Sequence, residues 1–365
     1  MKKGKIRDFA WELILLALLL ILWIVFEWKD TVRDAVLVAL GRKAKNVFSF
    51  SKMVSGMQVY MLYSFMALGM ALILGMGDID ISVGASATLS AAVMGVLYRT
   101  LLSCGMNPGL AFAFAICACL VTGALCGLFN GYLITRFREL FPMIVTLGTM
   151  LFYRGLCYLV LGGNTLRFED DATWAQLKAL YNNKVLIGGL NVPTIIFWFL
   201  GFAVVFYVFL HKSTAGRRLF AIGENRVAAR YSGIRVDRLE LAMFVVCGFM
   251  AAVSSLFYVG SASATVRADA MTGYEMYAIA VAVLGGFSTG GGKGNILGVV
   301  LSVVLFGVLK KGLGTLFGFP DSVINLAVGI VLILSSLLPN LCEMLAAKIR
   351  MDRQKKSGKE GAEND

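Results

Sequence analysis

Val-Ser-Gly-Met-Gln-Val-Tyr-Met-Leu-Tyr-Ser-Phe-Met-Ala-Leu-Gly-Met-Ala-Leu-Ile-Leu-Gly-Met (54–76) runs into Gly-Asp-Ile-Asp-Ile-Ser-Val-Gly (77–84), and a second apolar run follows at once. The first run carries no charge and is long enough to cross a bilayer core, which takes about 20 residues of helix. Its apolar residues do not alternate with polar ones as barrel strands do. The two aspartates at 78 and 80 then stand between two spans, where a carboxylate costs roughly 2.5–3.5 kcal/mol to insert.

The rest of the chain repeats this pattern. Of 365 residues, 58% are hydrophobic and 15% charged, and the mean hydropathy is +0.78. Soluble domains hold about 45–50% apolar and about 25% charged residues. The numbers exclude a soluble globule, a disordered chain, a collagen and a coiled coil. Candidate spans are 11–28, 54–76, 81–98, 110–129, 142–161, 192–210, 241–260, 274–287, 295–309 and 322–341. The eighth and ninth are short and glycine-flanked, so they are expected to be tilted, broken or re-entrant. The expected fold is an all-α polytopic membrane protein of about ten transmembrane helices, forming a single transmembrane domain over 1–365. The basic start at Lys2, Lys3, Lys5 and Arg7 resembles a signal peptide, but no small-residue cleavage site follows, so the first run reads as a retained span.

The net charge is +12. Its basic residues lie between spans, as topology signals do, so nucleic-acid binding is not indicated. Residues 211–238 carry Lys212, Arg217, Arg218, Arg226, Arg230, Arg235 and Arg238 against Glu224 and Asp237, which places this loop in the cytoplasm. The tails 1–10 and 342–365 are expected on the same side. Residues 29–53 hold six basic residues and two acids. The span count puts them outside, so they either lie on the membrane or the count is wrong by one. The connection 162–191 is then external and long enough for a soluble partner to bind.

Gly-Gly-Phe-Ser-Thr-Gly-Gly-Gly-Lys-Gly (285–294) mirrors the polar break at 75–84 in the other half of the chain. Paired interruptions point to an internal repeat around a central pathway. The later break is not a nucleotide phosphate loop: Phe287 stands at the first glycine position, Gly294 where Ser or Thr should be, and the flanks are membrane helix. The seven cysteines have no metal-ligand spacing and read as buried apolar residues. His211 reads as a boundary residue. No metal-binding or catalytic motif is present, so an intramembrane enzyme is poorly supported.

Asp80 is placed to cap the helix that follows, where an anion is favoured. Asp78 reads equally as a path-lining turn or an interfacial loop. Arg154 and Glu275 either pair across the bundle or anchor at the interface. Residues 221–234 are Ala-Ile-Gly-Glu-Asn-Arg-Val-Ala-Ala-Arg-Tyr-Ser-Gly-Ile. Asn225 is a good N-cap and Gly233 a good stop, with about two turns of helix between. Val227, Tyr231 and Ile234 form a narrow apolar stripe flanked by Arg226 and Arg230. So short a helix needs support: either its own membrane domain or a separate cytoplasmic protein.

Together these stretches resemble the permease subunit of simple-sugar ATP-binding-cassette importers, the ribose, galactose, xylose and autoinducer-2 type. Ile79 to Gly84 is similar to the family's Gly-Gly-Ile-Asp-Leu-Ser-Val-Gly. Phe141 to Met150, continuing to Arg154-Gly155-Leu156, is similar to Pro-Phe-Ile-x-Thr-Leu-Gly-Thr-Met and its Arg-Gly-Leu. Residues 221–234 match the family's cytoplasmic loop. Gly273-Tyr274-Glu275, Leu284-Gly285-Gly286 and Gly291 to Gly294 match its last motif. Asp78 departs from the pattern by replacing a glycine, and Tyr277 stands where Asp is common.

The resemblance implies a non-catalytic translocation subunit in the bacterial cytoplasmic membrane, carrying a simple sugar or sugar-like molecule. It implies a second permease, identical or related, an external binding protein, and a cytoplasmic ATPase. No cofactor is expected on this chain, since ATP and Mg belong to the ATPase. The coupling helix would comprise Asn225, Arg226, Val227, Ala228, Ala229, Arg230, Tyr231, Ser232, Gly233 and Ile234, with the arginines rimming an acidic groove on the ATPase. Asp80, Ser82, Thr146, Thr149 and Glu275 are path candidates, and Asp78 is expected to be replaceable by glycine. The alternative is a secondary transporter or channel, in which the capped loop helix would have no task.

Overall fold

The computed structural model describes residues 10–40, 49–167, 174–261, 265–320, 322–327, 329–330 and 333. The tails at 1–9 and 342–365, and residues 334–341 of the last expected span, lie outside the described residues. Met1–Gly318 forms one compact unit and Phe319–Asp365 a second. In the second, residues 322–327, 329–330 and 333 are helical.

In the first unit the chain is almost wholly helical, as expected. Helix α1 is Ala10–Ala39, α2 Phe50–Gly56, α3 Leu62–Gly75, α4 Val83–Ser103, α5 Pro108–Arg136, α6 Pro142–Leu161 and α7 Trp174–Asn182. Then come α8 Thr194–Lys212, α9 Thr214–Glu224, α10 Arg226–Tyr231, α11 Val236–Gly260, α12 Tyr274–Leu284 and α13 Ile296–Phe317. Two small antiparallel pairings accompany them: β1 Leu166–Arg167 with β4 Thr265–Val266, and β2 Lys184–Ile187 with β3 Leu190–Pro193.

Among the described residues, seven helices are long and apolar enough to cross a membrane, or eight if one bent pair is a single span. Of the expected spans, 274–287 is the one among these residues with no full-length membrane helix, and most of 322–341 lies outside them. The run 54–76 is not one straight helix: Phe50–Val59 and Leu62–Gly75 meet at 68°. The α-helix tightens into a 3₁₀ turn over Met57–Val59 just before the bend. The polar Gln58 turns its Nε2 to the carbonyl of Tyr181, 2.7 Å away. The helical part of the expected eighth span is only the 11 residues of α12, about half of what a full crossing helix needs. The ninth, expected to be short, is the full 22-residue α13.

Helix α1 also departs from expectation. Residues 29–39, read as loop, continue it, and its 30 residues extend about 45 Å at ~1.5 Å per residue, beyond the hydrocarbon thickness. Local pairing supports the extension: Arg33 bonds Asp30 at 2.6 Å one turn back, and Thr31 donates to the Glu27 carbonyl.

The centre of the unit is α3, whose 14 residues are all buried. A helix apolar on all sides belongs inside a bundle or in lipid, and α3 takes the inside. By contrast, Ile144, Leu151 and Leu159 of α6 are exposed, as suits a lipid-facing surface. Helices α5 and α11 meet along glycines at 123, 127 and 131. A Cβ at Gly127 would overlap the Phe244 carbonyl, and one at Gly123 the Gly248 carbonyl. Small residues four apart let membrane helices approach backbone to backbone, where dispersion rather than the hydrophobic effect holds them.

Candidate functional site

The two polar breaks expected from the sequence meet each other. Gly292 N–H donates to the Gly75 carbonyl at 3.0 Å. Gly77 and Gly291 have φ of +84° and +82°, a left-handed conformation that glycine adopts without strain. The meeting point also touches the end of α9, for a Cβ on Gly223 would overlap both the Gly75 carbonyl and the Gly292 amide. Helix α1 lies over the second break: Trp11 Nε1 donates to the Leu284 carbonyl at 2.8 Å, and Asn295 donates to Glu12. His211 takes a structural part here, accepting from the Ile296 amide at the head of α13.

Four of the five path candidates come together beside the first break. Asp80, Ser82 and Thr146 are fully buried and Thr149 nearly so. Asp80 Oδ1 accepts from the Ser82 amide at 2.9 Å and the Ser82 hydroxyl at 2.7 Å. It therefore orders the turn before α4 instead of bonding N–H groups inside the helix, and Ser82, at the N-cap position, makes no side-chain cap bond. Thr146 accepts from the Ile81 amide at 3.2 Å, and Thr149 donates to the Thr146 carbonyl.

Two members of this cluster were not singled out from the sequence. Asn130 donates to Ser82 Oγ at 2.7 Å, and Tyr153 donates to Asn130 Oδ1 at 2.9 Å. The available signal was an amide side chain at the end of an apolar run, between Gly127 and Gly131. A buried amide needs partners, and these hydroxyls supply them.

Glu275, the fifth candidate, heads α12. Its Oε1 accepts from the Gly273 amide at 3.0 Å, while its buried Oε2 has no hydrogen-bond partner. It packs against α4, where a Cβ at Gly84 would overlap that oxygen. Tyr277, two residues further on, carries the Lys310 ammonium 3.8 Å above its ring, a cation–π contact. Arg154 pairs across the bundle, its Nη1 donating to the Ala268 carbonyl at 2.9 Å.

In the loop 211–238 the capping expectation holds. Asn225 Oδ1 accepts from the Val227 and Ala228 amides at 3.0 and 2.9 Å, and Gly233 closes the helix at φ +80°. Helix α10 is shorter than expected, six residues from Arg226 to Tyr231. Its buried member is Ala229, whereas Val227 is 63% and Tyr231 89% exposed. The stripe is not packed into the chain's own core.

The arginines differ from expectation. Arg226 turns inward, 2.7 Å from Asp78 Oδ2 and 3.2 Å from Glu240 Oε1. Arg230 bonds Asp237 at 2.6 Å. These two are engaged by acids of the same chain rather than held out for a partner. Asp78 is correspondingly buried and ion-paired, not a loose stand-in for glycine. Arg138 joins the group through Glu240 at 2.6 Å and through Asp237. Burial works against its cation, but the two acids outweigh that and raise its pKa. Beside α10 lies a groove of about 530 Å³ lined by Arg218, Arg235 and Arg238 with Ile234 and Leu239.

A bundle of membrane-crossing helices around a buried broken helix, with polar side chains gathered at the break and a capped helix turned outward from one end, defines a multi-pass permease. Residues 52–336 match the family described as "Branched-chain amino acid transport system / permease component", and the chain belongs to it. It is 32% identical over 339 residues to the autoinducer 2 import system permease protein LsrD of Escherichia coli strain K12, covering 89% of this chain and 90% of that one. The same figures hold for the proteins of that name from Shigella flexneri and Escherichia coli O157:H7. The chain is a membrane-spanning permease subunit of an ATP-binding-cassette importer.

Proposed function

We propose that this permease carries autoinducer-2 or a similar sugar-like molecule across the bacterial inner membrane, taking it from an external binding protein and drawing on a separate ATPase. The relatives' import of autoinducer 2, across nine-tenths of both chains, supports the substrate class. Asp80, Ser82, Asn130, Thr146 and Thr149, with Glu275 across α4, are the groups proposed to border the path, since hydroxyl and carboxylate groups suit a polyhydroxylated solute. ATP and Mg are used by the ATPase; this chain binds no cofactor. A second permease, identical or related, completes the pathway. Both termini and the loop 211–238 face the cytoplasm, as the excess of basic residues there favours.

The observation that carries the reading is the exposure of Tyr231 and Val227 on a helix fixed by the Asn225 cap. An aromatic anchor beside a basic groove fits a partner with an apolar pocket and acidic rim. The charge for that rim comes from Arg218, Arg235 and Arg238, not from Arg226 and Arg230. Proteoliposomes holding the permease, its ATPase and the binding protein should accumulate autoinducer-2 only with ATP inside the ATPase compartment. Accumulation driven by a proton or sodium gradient without the ATPase would refute the proposal.

A further inference from the structure

Arg226 sits on the helix proposed to meet the ATPase, yet its guanidinium points the other way. One nitrogen lies 2.7 Å from Asp78 in the break after α3, and the other 3.2 Å from Glu240 in the first turns of α11. Both carboxylates are buried, Glu240 completely. A planar guanidinium can span two carboxylates on different elements in one fixed orientation, which an ammonium cannot reproduce. Arg138 holds Glu240 from a second side. The cluster is thus a cross-brace between the outward helix, the broken central helix and α11.

The backbone beneath it is arranged to pass on a displacement. Gly223, two residues before the Asn225 cap, is wedged between Gly75 and Gly292 with no room for a methyl group. Asp78 follows Gly77, whose left-handed φ of +84° lets the chain turn there. Close-packed elements with no void move together or switch between discrete arrangements. A rigid connection from α10 therefore ends on the segment that joins α3 to the Asp80 cluster.

We propose that Asp78, Arg226 and Glu240 form the transmission element of this permease: Arg226 fastens the ATPase-docking helix to the break after α3, so that movement of the docked helix displaces the Asp80 cluster. Arg226 and Asp78 are positioning residues in this scheme and touch neither ATPase nor substrate. The inference rests on the docking role proposed above for α10.

The test separates transmission from docking and from simple stability. Asp78→Asn keeps the shape and leaves Arg226 its Glu240 partner, so the protein should accumulate. With the ATPase, the binding protein and autoinducer-2 in proteoliposomes, the Asp78→Asn complex should retain its ATPase and hydrolyse ATP near the wild-type rate. Molecules imported per ATP should fall about tenfold, a typical coupling magnitude. Asp78→Glu should restore part of that ratio. An unchanged ratio, or equal losses of hydrolysis and import, would overturn the inference. So would loss of the ATPase from the Asp78→Asn complex alone. Should Asp78→Asn fail to accumulate, Arg226→Lys, which keeps the charge and loses the fork, must give the same fall in the ratio for the inference to stand. An ATPase that does not bind even the wild-type permease, or binds a Tyr231→Asp variant normally, would instead refute the docking role.

Discussion

Gly292 donates its amide to the carbonyl of Gly75 at 3.0 Å, and through this bond the two interruptions of the helical bundle, more than two hundred residues apart in sequence, become one junction. Gly223 fills the remaining space. A methyl group at 223 would have to separate the two breaks or push the end of α9 outward. Gly223→Ala should therefore insert normally but lose most uptake and melt at a lower temperature in detergent. Uptake and a melting temperature equal to wild type would mean that the junction opens freely and its tight packing has no part in transport.

The Asp80 cluster makes a prediction about coupling between side chains. Tyr153, Asn130, Ser82 and Asp80 form one chain of hydrogen bonds. Removing a partner from a buried polar group costs about 1–3 kcal/mol. Asn130→Ala and Tyr153→Phe should each destabilise the permease, and the double variant should lose less than the sum because both break the same chain. A melting series in which the two losses simply add would show that Tyr153 and Asn130 act independently.

How much of this was visible beforehand differs between residues. The helical class followed from long uncharged runs, and the Asn225 cap and Gly233 stop from local chemistry alone. Composition marked 75–84 and 285–294 as paired breaks but not that they meet, since a glycine-rich break does not reveal its partner. The inward turn of Arg226 was not legible. Its acids, Asp78 and Glu240, lie 148 and 14 residues away, and a basic side chain on a basic loop gives no sign of which way it faces. The length of the eighth expected span was hidden for a similar reason. Hydropathy marks apolar chain, and it does not distinguish α12, a short helix packed on α3, from a full-length membrane helix.

The contact between α5 and α11 predicts a stability effect away from any polar group. At Gly127 a side chain would meet the backbone of Phe244 and Val245, and backbone cannot swing aside as a side chain can. Overpacking a close core costs about 1–3 kcal/mol, occasionally more. Gly127→Leu should lower the melting temperature and the yield of folded permease, whereas Gly148→Leu, at a position open to space, should change neither. Equal behaviour of the two variants would show that the helices part easily at this seam.

Tyr231 gives the most direct test of what the loop helix is for. Its side chain is 89% exposed, and α10 is held by the Asn225 cap and by Arg226, neither of which needs the tyrosine. Within the isolated permease Tyr231→Asp should thus be harmless: normal insertion, normal amount and an unchanged melting temperature. In the assembled importer the same aspartate would be buried in a contact built for an aromatic ring, facing a surface expected to be acidic. An unpaired charge in a desolvated interface costs several kcal/mol, enough to release a partner bound at micromolar strength. Pull-downs should recover Tyr231→Asp permease without the ATPase, and uptake should vanish. Tyr231→Phe, which keeps the ring and loses only the hydroxyl, should retain both. A Tyr231→Asp permease that fails to accumulate would mean that the ring supports the membrane domain itself, against its exposure. One that keeps the ATPase and transports normally would leave α10 as a surface loop with no part in coupling.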